Sequence, residues 1–441
     1  MRDFENFITD LKELISYKSV LSKPQKDAPF GLETKKALDF FLKKAQRMGF
    51  ETVNYDNYLG EIALSPSKSD NSNGLASETP TEIGIIGHLD VVPEGEGWQT
   101  PPYTLTFKDG YYFGRGVSDD KAPCLLVLYA LKELKESGLP LKRKIRFFVG
   151  TNEESGWQDV EHFEKTHSFP EYGFSPDGNF PVIYAEKGMS IVKFTTPLLK
   201  NFEKVTGGTV INAVCGKVTA TIKDITKIDK TLAQKYGLTI TDENQIISIG
   251  KSAHGSSPSL GKNAILPLLQ FMKECGEKVD DIIDCLFLDK FGLTKNNNEQ
   301  GYLTISPDLI YEKDGLLHID CDMRIPAPMT AKEIERTIKK FGIEYSITEK
   351  HPPVMIEKDG WFARTLIDAY NQVTGENKSP VAMGGSTFAR VFKKGSAFGM
   401  EFIGEDAHMH EANERVSKDN LLRAYEIYKW ALFKLTVGDF C

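Results

Sequence analysis

The sequence has no C-x-x-C pair, no long apolar run, no basic excess and no short-period repeat, and each absence removes a class of protein. Its six cysteines, Cys124, Cys215, Cys275, Cys285, Cys321 and Cys441, are scattered. That argues against a disulfide framework or a thiolate metal knuckle and leaves free buried thiols as the expectation. No stretch reaches the about 18 apolar residues of a membrane span, so no membrane partner is expected. Lys and Arg number 54 against 62 Asp and Glu, for a net charge of −8 and a pI of about 5.7. Such a balance offers nothing to neutralise phosphates, and nucleic acid is excluded as the main partner. The N-terminal stretch Met1-Arg-Asp-Phe-Glu-Asn-Phe-Ile-Thr-Asp10 interrupts every apolar step with an acid and lacks a small-residue cleavage site. It does not read as a signal peptide, and the expected location is cytoplasmic. There is no low-complexity tail.

What is present is an ordinary globular composition, 40% apolar and 26% charged, over 441 residues. That length allows two or three domains at about 100–200 residues each. Phe4, Phe7, Ile8, Leu11, Leu14 and Ile15 follow helical spacing, which predicts an amphipathic helix docked on a core. Residues 33–48 predict a second helix, with Ala37, Leu38, Phe41 and Leu42 on one face. Glu82–Gly87 and Lys144–Gly150 read as buried strands, and Lys121–Ser137 between them as a helix. Ser65–Thr81, rich in Ser, Asn, Pro and Gly, reads as an exposed loop. This alternation over the first 187 residues predicts an α/β domain, a mostly parallel twisted sheet flanked by helices.

From about Gly188 strand-like pieces dominate (190–195, 218–222, 246–251, 304–311 and 315–323), with helical pieces near 263–275, 278–290 and 330–341. The alternation returns at a helix from Trp361 to Gln372, and a last helix is expected from Lys418 to Phe433. The reading is therefore a discontinuous α/β domain, 1–187 with 355–441, interrupted by an inserted α+β domain at 188–354.

The chemistry-bearing residues fall where strands end. In open α/β sheets ligands bind beyond the carboxyl ends of strands. His88-Leu-Asp90 follows the apolar run Ile83–Gly87, and alternation points His88 and Asp90 the same way. That suits a metal-ligating imidazole whose ring is held by Asp90. Asp119 and Asp120 precede a helix. Capping accounts for one Asp, and a carboxylate shared between two metals accounts better for Asp119. Glu153-Glu154 follows the strand 144–150, where one acid held by a cation leaves the other as a general base. Asp177 sits in Pro-Asp-Gly, which by itself is turn chemistry. His408 and His410 are both candidate ligands near the C-terminus. Carboxylates and imidazoles together suit two divalent ions, and the chain is expected to hydrolyse its substrate with metal-activated water.

Four segments, Gly87-His-Leu-Asp-Val-Val-Pro93, Gly114-Arg-Gly-Val-Ser-Asp-Asp-Lys121, Asn152-Glu-Glu-Ser-Gly156 and His410-Glu-Ala-Asn-Glu414, resemble in order the co-catalytic di-zinc aminoacylase/carboxypeptidase/dipeptidase family. The long insertion resembles most the monomeric bacterial dipeptidase branch, of the dipeptidase V or Xaa-His type. The resemblance implies that His88, Asp119 and Asp177 hold one metal and that Asp119, Glu154 and His410 hold the other. It prefers His410 to His408, makes Glu153 the general base and acid, has Asp90 orient His88, and implies a cis peptide after Asp119. Zn²⁺ is the expected ion, with Mn²⁺ and Co²⁺ equally suited to the donors.

In the insertion, Ser252-Ala-His-Gly-Ser-Ser-Pro258 resembles a lid segment whose histidine, His254, stabilises the oxyanion. Asn212 resembles a substrate-contacting residue, and Arg324 in Asp322-Met-Arg-Ile-Pro326 resembles the arginine that grips the substrate's terminal carboxylate. Gly384-Gly-Ser386-Thr387 resembles a loop of backbone donors beside it. The implied activity is hydrolysis of unblocked dipeptides by a monomer. An N-acyl-amino-acid deacylase with the same site, an inactive metal-binding relative and a dimeric scaffold are the alternatives. Val214-Cys-Gly216 departs from the Val-Pro that many relatives carry after the Asn, without touching a proposed ligand.

Overall fold

The computed structural model describes residues 1–66, 81–196, 199–286 and 300–438. The chain folds as two compact units. One comprises Met1–Tyr184, Met355–Val381 and Thr387–Cys441; the other comprises Ala185–Val354 together with Ala382–Ser386. Most of the expected loop at 65–81, the end of the helical piece at 278–290, and Cys441 lie outside the described residues.

The first unit is built on a mixed sheet whose centre is parallel. Glu82–His88 lies between Lys144–Gly150 and Tyr172–Ser175 and runs parallel to both. Lys394–Ala397 adds a fourth parallel strand beyond Tyr172–Ser175. Leu59–Leu64 and Glu51–Tyr55 continue antiparallel beyond Lys144–Gly150, and Ile183–Glu186 is antiparallel to Lys394–Ala397. Buried on both faces, Glu82–His88 is apolar nearly throughout, as parallel strands are.

The helices bury the expected stripes. Phe4–Ser16 buries Phe7, Leu11, Leu14 and Ile15. Leu32–Arg47 buries Ala37, Leu38, Phe41 and Leu42. Lys121–Glu136 is buried on all sides from Lys121 to Leu131, which makes it an interior helix. The last helix, Lys418–Thr436, packs on Lys121–Glu136 and on Trp361–Thr374. A small antiparallel ribbon, Arg415–Ser417 on Tyr111–Phe113 on Thr106–Lys108, ties the chain after residue 405 to the turn that leads into Asp119.

Among the described residues the second unit holds an eight-stranded antiparallel sheet. Its longest strands are Thr304–Lys313, Leu316–Ile325 and Gly188–Thr196. Gly188–Thr196 alternates strictly between buried and half-buried positions, the mark of a sheet with one face in a core. Val192, Phe194, Leu317, Ile319 and Met323 meet Leu268, Leu269, Met272 and Ile334 of the helices there. Thr330 and Glu333 form a reciprocal cap that starts helix Ala331–Ile338.

Four cysteines (Cys124, Cys215, Cys285 and Cys321) are buried and Cys275 is half-buried, all as free thiols. No helix among the described residues is long and apolar enough to cross a membrane.

Candidate metal centre

His88 is the last residue of its strand, so the parallel sheet delivers its ring to the carboxyl edge. The backbone N–H of His88 donates to Asp120 Oδ2 at 3.1 Å, which locks the strand end to the start of the interior helix. His88 Nδ1 lies 3.0 Å from the Asp90 carbonyl oxygen and 3.4 Å from Asp90 Oδ1. Fixing Nδ1 leaves Nε2 to face the site. The Asp90 carboxylate is mainly engaged elsewhere. Its two oxygens accept the backbone N–H groups of Glu153 and Glu154, each at 3.1 Å. Asp90 therefore holds the ring chiefly through its carbonyl and the two glutamates through its side chain, a second duty the sequence did not show.

Asp119 stands in the middle. Its Oδ1 is 3.0 Å from His88 Nε2, and its Oδ2 is 2.9 Å from His410 Nε2. On the His88 side Asp177 Oδ2 lies 3.9 Å from Nε2, and on the other side Glu154 Oε1 lies 3.2 Å from His410 Nε2. The ligand atoms of His88, Asp119 and Glu154 all fall within 4.8 Å of one another. His408 faces Asp406 at 3.4 Å and Glu411 at 3.5 Å instead of Asp119. The two histidines separate because both adopt left-handed backbone, with φ of +53° and +63°, which turns the segment on itself. The Asp119-Asp120 peptide is cis.

The electrostatics are those of an over-filled acid cluster. Burial raises Glu153, with Glu154 and Asp119 adding to it against His88. Burial, then Asp119, raises Glu154; burial, then Asp119 and Asp120, raises Asp177. Burial opposes the charge on Asp119, but His410 and His88 hold it well below the carboxylate range. Burial would lower His410, but Asp119 and Glu154 push it up to about 11. A cluster of carboxylates and imidazoles in this state is the donor set a pair of divalent cations fits, because each ion relieves the repulsion that displaces the acids.

Glu414, quoted in a motif but given no role from sequence, sets the loop beneath Asp119. It is fully buried. Its carboxylate accepts the backbone N–H groups of Gly116, Ser118 and Asp119 at 2.8–3.2 Å, and Arg115 Nη1 pairs with it at 2.8 Å. Asn413 takes the N–H of Gln99 at 2.7 Å. The segment that carries His410 thus also fixes the turn that carries Asp119. A Glu four residues after a candidate ligand was the signal available, and it is too common to read alone.

The remaining expected residues belong to the second unit. His254 is exposed, with Nδ1 2.7 Å from Ser256 Oγ. Gly255 N donates to Asn212 O at 2.6 Å, and Asn212 N donates to Asp308 Oδ2 at 2.7 Å. Arg324 pairs with Asp322, and its Nη1 lies 3.5 Å from Gly384 O. A side chain on Gly384 would come within 3.5 Å of Ser256 Cβ. Among the described residues, the buried Oγ of Ser386 has no hydrogen-bond partner. His254, Asn212, Arg324 and Gly384 thus join, through Gly255, Ser256 and Asp322, into one patch of that unit.

Comparison with known proteins shows the family and the fold. A Staphylococcus saprophyticus protein provisionally named a dipeptidase is 30% identical over 480 residues, covering 100% of this chain and 99% of the relative. The structure of human carnosine dipeptidase 1 superposes with a TM-score of 0.60 at 15% identity, over 98% of this chain and 96% of that one. A Bacillus subtilis protein described as a dinuclear metal binding peptidase of the M20 family superposes with a TM-score of 0.53 at 11% identity, over 98% of both chains. The model of peptidase family M20/M25/M40 matches residues 84–434, and the chain belongs to that family.

Proposed function

We propose that this peptidase is a metal-dependent dipeptidase that cleaves the amide bond of short unblocked peptides. The observation that carries the reading is the double engagement of Asp119, one oxygen toward His88 and the other toward His410, with Glu153 anchored beside it through Asp90. His88, Asp119 and Asp177 would hold one divalent ion, and Asp119, Glu154 and His410 a second. Two ions in such a site, Zn²⁺ first and Mn²⁺ or Co²⁺ on the same donors, supply Lewis acidity that makes water a nucleophile near neutral pH and polarises the scissile carbonyl.

Glu153 takes the proton of the attacking water and returns it to the leaving amine. Its backbone N–H, fixed on Asp90 Oδ1, limits how far the residue can drift from that task. His254 is assigned the oxyanion, Arg324, with the Gly384–Ser386 loop beside it, the substrate's terminal carboxylate, and Asn212 a further contact to the substrate. These assignments are supported by the motif resemblance, and for Arg324 also by the planar fork that suits a carboxylate. The name of the staphylococcal relative supports dipeptides as the substrate class.

The test is turnover of metal-stripped protein refilled with Zn²⁺ or Mn²⁺ on unblocked dipeptides, N-acetyl and N-succinyl amino acids, and a tripeptide. Cleavage of the dipeptides, with turnover reduced about 10²–10⁴-fold in Glu153→Gln and both ions still bound, is the expected result. Cleavage confined to the N-acyl amino acids would move the function to a deacylase. No turnover with both ions bound would make the chain a binding protein.

A further inference from the structure

Asp322 and Arg324 stand two residues apart on Leu316–Ile325, so their side chains lie on one face of the sheet. Asp322 is fully buried and Arg324 is 4% exposed. The carboxylate accepts from Arg324 Nε at 2.9 Å and from Nη2 at 2.9 Å. That occupies the side edge of the guanidinium. Its end edge, formed by Nη1 and the second N–H of Nη2, is turned the other way, where Nη1 meets Gly384 O only at 3.5 Å, the outer limit of a hydrogen bond.

The sheet itself does not need this pair. The strand is already laddered on both sides, to Thr304–Lys313 and to Gly188–Thr196. A buried ion pair often returns no more than the desolvation it costs, so its presence asks for another reason. The neighbours provide one. A Cβ on Gly255 would lie 2.6 Å from Asp322 Oδ2 and 3.0 Å from Asn212 Cα, so the chain that follows His254 reaches this spot only as glycine. The Asp322 carboxylate is where the segments of Arg324, His254 and Asn212 converge.

We propose that Asp322 is a positioning residue: it holds the side edge of Arg324 so that the end edge meets a free carboxylate, and it thereby sets a preference for substrates with an unblocked C-terminus. The inference rests on the reading that Arg324 binds that carboxylate. With both edges free, the guanidinium would rotate and spread its donors. With the side edge taken, two parallel N–H groups remain in the geometry a carboxylate fits.

The experiment compares KM and kcat for a dipeptide and for its C-terminal amide. The wild type should show a markedly higher KM for the amide. In Asp322→Asn the dipeptide KM should rise about 10- to 100-fold while the amide KM stays put, so the preference collapses with kcat nearly unchanged. Asp322→Glu, which keeps the charge one methylene away, should fall between the two. A wild type indifferent to amidation would overturn the role of Arg324 and this inference with it. A discriminating wild type whose preference survives in Asp322→Asn would overturn only the role of Asp322, as would an equal loss of kcat on both substrates. Failure of both variants to fold, judged by thermal melting, would reassign the pair to stability and overturn the inference.

Discussion

At the scale of single residues the centre depends on carboxylates that do two things at once. Asp119 faces two histidines, and Asp90 serves a ring with its carbonyl and two glutamates with its side chain. Glu414 is the least visible of them. It gathers three consecutive-turn N–H groups and the Arg115 guanidinium, and so prepares Asp119 before any ligand arrives. Removing its charge leaves Arg115, itself 1% exposed, without its carboxylate, with only the Pro93 and Glu94 carbonyls still accepting from its Nη2. Glu414→Gln should weaken metal binding about 10- to 100-fold, as loss of an outer partner of a ligand does, and calorimetric titration of the stripped protein with Zn²⁺ reads that directly. Unchanged affinity would show that the loop holds its shape without Glu414. Most of the candidate ligands were legible because strand ends announce themselves by an apolar run that stops. Asp177 and the choice of His410 over His408 came from the family resemblance alone, because a turn and a pair of nearby histidines carry no direction of their own.

At the scale of elements the strongest patterns were those with a buried stripe. The helices at 32–47, 121–136, 361–374 and 418–436 and the strands at 82–88 and 144–150 lie close to where periodicity put them. Strands without such a stripe escaped. Lys394–Ala397 reads Lys-Gly-Ser-Ala, with no branched or aromatic residue, yet it is a parallel strand inside the sheet. Its Gly395 is required, since a Cβ there would sit 1.8 Å from Ala389 O. Glu344–His351 is an edge strand with charge on much of its length, which hides its alternation.

The strand Thr304–Lys313 contains a second surprise. Register slips between Pro307 and Leu309, which makes Asp308 the extra residue of a bulge. The bulge turns the Asp308 carboxyl onto Asn212 N and Ser306 Oγ. Gly208, at φ +82°, crosses where a Cβ would be 1.9 Å from Asp308 O. Burial raises the Asp308 carboxyl to about 7. A carboxyl raised in the folded state favours folding while protonated, fully so below the unfolded value near 4, and loses that advantage as pH climbs through about 7. Between pH 5 and pH 8 the wild type should therefore lose roughly 2–3 kcal/mol relative to Asp308→Asn, measured by denaturant unfolding of both at each pH. Parallel pH profiles would place the Asp308 proton elsewhere.

At the scale of the whole molecule the two units differ in what stabilises them. The second rests on an apolar core between its sheet and helices. The first adds to its core three acids, Asp177, Glu153 and Glu154, whose charge burial and the neighbouring carboxylates disfavour and which divalent cations would relieve. Chelation should lower the unfolding temperature of the first unit and leave that of the second in place. Refilling at a thousandfold excess over Kd should restore about 4 kcal/mol, and scanning calorimetry with and without EDTA checks both. A melt indifferent to chelation would mean that the acids are satisfied without metal.

The sequence by itself determined the α/β character of the first unit, the antiparallel-rich character of the second, and the residue types of a candidate metal centre. Each of these follows from local periodicity and from chemistry carried on short segments. Only the tertiary structure decided that Asp119 faces a histidine with each oxygen, that Glu414 braces the loop beneath, and that Asp322 takes one edge of Arg324. Those are contacts between segments, up to nearly three hundred residues apart, or matters of where a side chain turns. The physical reason they could not be read is that direction and distance are set by packing, which one-dimensional spacing does not contain.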